Sequence, residues 1–534
     1  MRLPQLLRVS QSRNRGYACS TVVGQLPLNW YCPQNPIRQT MSEVEGDVLM
    51  LMIPVDCDNT KPIYLQIADH ITTLAGSGQL PAGFRLPPSR QLAEQLQVHR
   101  STIVNSYEEL KARGVIDAMQ GSGSFIADGL AVIQRPLQSM MPINDEPEEV
   151  VRMLWSVNRA DGVISLALGL PADELMPIEM YEAARSRALR RDRAAALNYE
   201  DPSGYEPLKR AIAAEMGKRG AVVDPADVIV TIGAQEALNL TARALATAGD
   251  TVLTEAPGFF LYTMSMKRMG YRVLGYSIEQ DGPDWDTLAG ALRQTTVGGQ
   301  DEVWARPRFV MASPDNQNPT GSHWSMSERY RFVKAMNELD LQIIEDATYS
   351  DLSYDAPATV PLVALDPDVI HIGTFSKSMM PALRIGWVVA RGALREQLIT
   401  LRNIACGSAY GLAQRAMAEL LTTGQYDEHL QRVRAEYRVR RDALCDALTE
   451  YMPPEVTFAR PAGGYYVWLN LPESVPSGLL FKRSLERGIA VAPASVFFPA
   501  AATNSIRLSF ARYNADTLRY AAKRLGELVK SLMR

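Results

Sequence analysis

No apolar run in the 534 residues approaches the roughly 18–20 uninterrupted positions that a helix needs to cross a bilayer, so no membrane span is expected. Cysteine is scarce. Cys19, Cys32, Cys57, Cys406 and Cys445 are scattered without a Cys-x-x-Cys pair, which argues against a zinc cluster or a disulfide framework and for free thiols in a reducing cytoplasm. No metal site is expected. A charge excess of one sign is lacking too: a net charge of −4 gives no global attraction to nucleic acid, so a DNA reader would have to present a local surface. Internal repeats and low-complexity tracts are absent. What remains is the composition of a globular chain, 46% hydrophobic and 21% charged. At roughly 100–200 residues per domain, its length calls for two to four domains.

Residues 61–127 form a compact pattern. Ile63, Ile67, Ile71 and Leu74 mark one face of a first helix. Ser89 is a candidate N-cap for a short second helix carrying Leu92, Ala93 and Leu96. A third helix turns Ile103, Tyr107 and Leu110 inward and stops at Gly114. A β-hairpin follows, with its turn at Gly121-Ser122-Gly123. Three helices and a hairpin in this order make a winged helix-turn-helix.

The run Leu86-Pro87-Pro88-Ser89-Arg90-Gln91-Leu92-Ala93, with Val98-His99-Arg100-Ser101-Thr102, Leu110-Lys111-Ala112-Arg113-Gly114 and Gln120-Gly121-Ser122-Gly123, closely resembles the GntR family of bacterial regulators. The resemblance implies operator DNA as partner. It places Arg90 and Arg100 at DNA-contacting positions, His99, Ser101 and Thr102 at the front of the recognition helix, and Gln120 and Gly121 at the wing tip. Arginine forks suit guanine edges or phosphates, and hydroxyls at a helix N-terminus suit phosphate. His99 stands where the family places a small hydroxyl cap, and Val104 where some members carry another arginine, so base preference does not transfer. Six Lys/Arg against five Asp/Glu in residues 61–127 leave a net of only +1.

Ahead of this module, the first forty residues carry Arg2, Arg8, Arg13, Arg15 and Arg38 with no acidic residue and imitate a mitochondrial transit peptide. The bacterial character of the module argues otherwise. Residues 1–60 are expected to be a disordered extension or an over-long reading frame, with Met41, Met50 and Met52 as alternative starts. A cytoplasmic protein, nucleoid-associated when bound to DNA, is expected.

Pro136, Pro142, Pro147 and the acidic run ending at Glu149 read as a linker over 128–160. Across 161–534, β-branched runs such as Val228-Ile229-Val230-Thr231-Ile232 alternate with segments of helical period, which predicts an α/β fold with a mixed, mostly parallel sheet. A smaller α+β lobe is expected over roughly 427–534.

Lys377 sits in Thr374-Phe375-Ser376-Lys377, a lone lysine among small polar residues after a strand, and a lysine amine becomes a nucleophile once its pKa is lowered. With Arg384 seven residues on, the segment resembles fold-type-I pyridoxal-phosphate enzymes of the aspartate aminotransferase superfamily. That resemblance makes Lys377 the Schiff-base lysine of bound pyridoxal 5′-phosphate. Thr374, Ser376 and Arg384 become contacts to its phosphate. Gly233, Ala234 and Gln235 follow a strand and open a helix whose N–H groups suit the same dianion. Further matches make Phe259 the ring that stacks on the pyridine, Asn318 and Tyr349 the contacts to the phenolic oxygen O3′, and Asp346 the partner of the pyridine nitrogen. Arg507 and Gly169 match contacts to an amino acid α-carboxylate. Tyr199 matches a tyrosine that crosses to the neighbouring subunit's phosphate, implying a homodimer.

A GntR-type reader joined to an aminotransferase-like domain resembles the MocR subfamily of regulators. The resemblance implies a transcriptional regulator that binds pyridoxal phosphate and senses an amino compound. Pro314-Asp315-Asn316-Gln317-Asn318 departs from the commonest MocR pattern toward true aminotransferases. An amino acid aminotransferase with a secondary DNA-binding module therefore stands as the alternative, and catalytic turnover stays open.

Overall fold

The computed structural model describes residues 53, 62–76, 80, 83–113, 115–119, 123–126, 147–158, 160, 162–278, 285, 288–289, 292, 306–355, 359–500 and 502–534. The expected N-terminal extension, apart from residue 53, and the wing-tip residues Gln120 and Gly121 lie outside the described residues, as does 128–146 of the expected linker.

The first module is built as the periodicity demands. Helix α1 (Ile63–Gly76) buries Ile67, Ala68, Ile71 and Ala75. Helix α2 (Ser89–Leu96) buries Leu92 and Ala93; its cap position is Pro88, one residue earlier than the Ser89 cap expected, and no side chain caps it. The chain then turns through Gln97, at φ 55, into helix α3 (Arg100–Ala112). Here Ile103, Ser106 and Leu110 are buried, while Tyr107 is half-buried and donates to Pro87 O at 2.6 Å. Arg113 ties the end of α3 to α1 through Asp69 at 2.7 Å. Strands β1 (Ile116–Met119) and β2 (Gly123–Ile126) pair antiparallel as the wing, and Arg85 bridges Phe125 to extend it.

The expected linker is shorter at its C-terminal end than 128–160. Residues Pro147–Val157 form helix α4, whose Val150, Val151, Leu154 and Val157 are buried in the core of the following domain. The prolines and acidic residues that suggested a linker sit at or before its first turn, where proline costs nothing and Glu148 and Glu149 favour the helix dipole. The apolar face behind them makes it structural.

The main sheet has seven strands in the order β4 (Val228–Thr231), β10 (Gly386–Val389), β9 (Ile370–Thr374), β8 (Gln342–Asp346), β7 (Phe309–Ala312), β5 (Thr251–Ala256) and β6 (Arg272–Ser277). All neighbours are parallel except around β10, which runs against both β4 and β9. Both faces are covered: Val228 and Val230 enter one hydrophobic core and Ile229 the other, the period-two alternation of a strand. A smaller antiparallel sheet combines β11 (Thr457–Phe458), β12 (Tyr466–Asn470), β15 (Ser505–Ser509) and β14 (Ala492–Pro493). It is backed by helices Gln425–Tyr451 and Ala515–Leu532, which pack on each other. This lobe also recruits chain from before the large sheet, since β3 (Ile164–Ser165) pairs with β13 (Ile489–Ala490). Among the described residues no helix is long and apolar enough to cross a membrane.

Candidate functional site

In an open α/β sheet, ligands collect beyond the carboxyl ends of the strands. Asp346 is the last residue of β8 and Thr374 the last of β9, and Phe259 follows β5 by three residues. A cleft opens there, and Phe259, Asn318, Asp346, Tyr349, Lys377 and Tyr466 are among its lining residues.

Lys377 Nζ donates to Gly169 O at 2.9 Å, and burial pushes its amine below the usual lysine range. That is the state in which a lysine acts as a nucleophile. Gly169 must be glycine: a Cβ there would stand 1.8 Å from the Tyr466 hydroxyl. Asp346 accepts from Thr348 N at 3.0 Å and Thr348 Oγ1 at 2.6 Å, and also pairs with the Tyr262 hydroxyl. Burial nevertheless raises its pKa, and it has no ion-pair partner among the described residues. A protonated ring nitrogen is the complement such a carboxylate lacks. Tyr349 OH lies 2.9 Å from Tyr466 OH.

After β4, and outside the residues that line the cleft, Gly233 takes φ 79 and helix α5 (Ala234–Leu245) begins, so its first N–H groups have no partner within the helix. Arg384, in the left-handed region at φ 50, donates from Nη2 to Ile232 O at 2.7 Å and closes on Gly233. A Cβ on Gly386 would meet the Gly233 carbonyl carbon at 2.5 Å, which keeps this corner open to backbone alone. Gln235 carries a buried Oε1 with no partner, while its Nε2 donates to Asn239 Oδ1 at 3.4 Å. Ser376 lies beside this corner, but Thr374 is partly spent: its hydroxyl is 2.8 Å from Ile385 O and 3.0 Å from Ser376 Oγ. These groups fit a dianionic phosphate.

Arg507 is buried, stacked between Tyr466 and Phe497 with its guanidinium 4.1 and 4.6 Å from the ring centroids. Its Nη1 donates to Asn318 Oδ1 at 2.6 Å and its Nη2 to Ala167 O, while Nε has no partner. Tyr199 does not line this cleft; it is 89% exposed on the surface. Sequence reasoning missed Tyr466, Tyr262 and Phe497. Only Tyr262 left a trace, three residues after Phe259 on the next helical turn.

In the first module His99 caps α3, its Nδ1 accepting from Ser101 N at 3.4 Å and lying 2.7 Å from Ser101 Oγ. Arg90, Arg100 and Ser101 are exposed and Thr102 half-buried. Arg90 meets Glu94 at 3.5 Å in an exposed pair, worth too little to withhold it from DNA.

The family model for aminotransferase class I and II matches residues 161–525. The chain belongs to this family. Residues 63–126 match the model for bacterial regulatory proteins of the gntR family, so the architecture is that of MocR-type chains. The 2-aminoadipate transaminase of Thermus thermophilus is 33% identical over 72% of this chain and 94% of its own. An uncharacterized HTH-type transcriptional regulator of Bacillus subtilis, YdfD, is 28% identical over 88% of this chain and 97% of its own. Among solved structures, LysN, the alpha-aminoadipate aminotransferase of Thermus thermophilus complexed with N-(5'-phosphopyridoxyl)-L-leucine, superposes with a TM-score of 0.65 at 33% identity. That match covers 72% of this chain and 95% of the other.

Proposed function

We propose that the chain is a DNA-binding transcriptional regulator that holds pyridoxal 5′-phosphate at Lys377 and senses an amino compound. The observation that supports this is the pairing of a gntR-type reader with a cleft lined by Lys377 and Asp346, with buried Arg507 held on Asn318 and Tyr466 of that lining. Bound pyridoxal phosphate supplies an aldehyde for an amine and a ring that withdraws electrons. Lys377 offers the amine, Asp346 holds the ring-nitrogen proton, and Phe259 covers the ring face. Asn318 and Tyr349 orient the phenolic oxygen. Gly233, Ala234, Gln235, Ser376 and Arg384 take the phosphate. The Arg507 fork, with Gly169 beside it, receives a carboxylate. Tyr199, exposed beside Leu197, reaches the partner copy's phosphate in a homodimer. The protein works in the cytoplasm, on the nucleoid when bound to operator.

Helix α4 supports a coupling of the two domains. It follows directly on residues 128–146 and packs on the turn Ala494–Phe497, whose Phe497 ring lies on Arg507. A carboxylate arriving at Arg507 thus acts two contacts from the helix that leads to the DNA reader. Linkage supplies the test: operator DNA must change affinity for the amino compound by the same factor as the compound changes affinity for DNA, with a coupling on the order of 1–3 kcal/mol. Operator is first selected from random DNA. Amino acids are then titrated into cofactor-loaded protein with and without it, and identical curves reject the sensor reading.

A second reading is favoured by the intact Lys377, Asp346 and Arg507 and by the transaminase relative: an amino acid aminotransferase with a secondary DNA module. Turnover of an amino acid with a 2-oxo acid at enzyme-like rates, with no DNA retained, would select it.

A further inference from the structure

Two loops leave the carboxyl ends of the adjacent parallel strands β5 and β7. One carries Phe259, the other Asn318, and between them lies a polar contact that neither motif reading used. Gln317 is fully buried, and its Nε2 donates to Glu255 Oε2 at 2.9 Å and to Pro257 O at 2.8 Å. Its Oε1 accepts from Thr320 N at 2.9 Å and Thr320 Oγ1 at 2.7 Å. Both donors and both acceptor positions of one buried amide are therefore filled, the donors by the end of β5 and its loop and the acceptors by Thr320 on the other loop. Glu255 is buried in turn, its Oε1 accepting from Ser313 N at 2.6 Å.

We propose that Glu255 and Gln317 are positioning residues that hold the ring-covering Phe259 and the polar contact Asn318 at a fixed separation across the cleft. The proposal rests on the cofactor reading of this cleft. Gln317 borders the cleft, but its hydrogen-bonding positions are filled by protein partners, so it and Glu255 act through Phe259 and Asn318. The chemistry explains why 317 is an amide: a carboxylate there would face Glu255 with no donor between them, and an apolar residue would leave Glu255 and Pro257 O short of partners in a buried site. Burial pushes the Glu255 carboxyl up to about 7, and the donors from Gln317 and Ser313 pull against that rise.

The full chain is compared with Gln317→Leu, Glu255→Gln and the milder Thr320→Val, which removes the hydroxyl's donation to Gln317 Oε1 and its acceptance from Ser322 N while keeping the side chain's volume. Three quantities are read: pyridoxal phosphate affinity by absorbance titration, induced circular dichroism per bound cofactor, and Tm without cofactor. Gln317→Leu and Glu255→Gln are expected to weaken affinity by about tenfold or more, and Thr320→Val by a smaller factor. Induced dichroism per bound cofactor should fall in the same order, because the ring's walls have lost their spacing. Wild-type affinity and dichroism in all three variants would overturn the proposal. So would affinity losses that merely follow Tm while dichroism per bound cofactor stays constant, the signature of a structural role. Should Gln317→Leu fail to fold, the other two variants decide by the same readings. Wild-type protein that takes up no pyridoxal phosphate overturns the cofactor reading and this proposal together; uptake with unaltered variants overturns this proposal alone.

Discussion

Arg507 Nη1 donates to Asn318 Oδ1 at 2.6 Å, joining a strand of the small sheet to the loop after β7 of the large one. Arg507 is thus held by Asn318, Ala167 and two aromatic faces, and as a carboxylate site it would need no reorientation. Arg507→Lys keeps the charge and loses the planar fork, so amino acid affinity should fall by about 1.5–3 kcal/mol while cofactor binding persists. Absorbance titration of cofactor-loaded protein with amino acids measures both, and unchanged amino acid affinity would remove Arg507 from the carboxylate site.

Lys377→Ala is expected to abolish the visible absorption of bound cofactor, since the amine that donates to Gly169 O has no substitute lining the cleft among the described residues. Borohydride treatment followed by mass spectrometry is the check. Covalent cofactor at the wild-type level in the variant would mean that another lysine holds it.

Arg100 is exposed at the first position of α3. Arg100→Ala should weaken specific operator binding by about 1–3 kcal/mol at fixed salt if it reads a base edge, and leave cofactor uptake unchanged. A uniform loss across all DNA sequences would reassign it to phosphate.

His429 offers a pH test next to the lysine. Its Nε2 donates to Ser378 O at 2.9 Å, Arg432 faces its Nδ1 at 3.4 Å, and burial pushes its pKa down to about 4. A histidine held below its ordinary range is neutral in the fold and charged in the unfolded chain at pH 5. Its stabilisation is therefore present above about 6.5 and lost as pH falls toward 4, up to about 3 kcal/mol. His429→Gln keeps a donor to Ser378 and removes the titration. Denaturation in urea at pH 7.5 and pH 5 should show a smaller acid loss in the variant than in wild type; equal losses would reject the assignment.

Much of the site was legible because its chemistry is local. A carboxylate ending an apolar strand, a glycine opening a helix, and a lysine three residues past a strand's last threonine are each written within a few consecutive positions. Asp346 accordingly ends β8 and lines the cleft with Lys377, and Gly233 precedes the helix Ala234–Leu245. The three-helix reader was legible for the same reason, since Ile67, Ile71, Ile103 and Leu110 follow a 3.6-residue period. The linker failed where composition and periodicity disagreed: prolines and acids spoke for an open chain, and the apolar face of α4 was decided by the core it met.

What local chemistry could not decide is who meets whom. Arg507 and Asn318 are 189 residues apart, and Gln317 and Glu255 62. Tyr466 reaches Tyr349 only because β12 of the small lobe comes to rest at the end of β8. Those contacts depend on how separate elements pack, and packing is set by the summed shape and burial of many residues at once, which no short stretch of chain encodes.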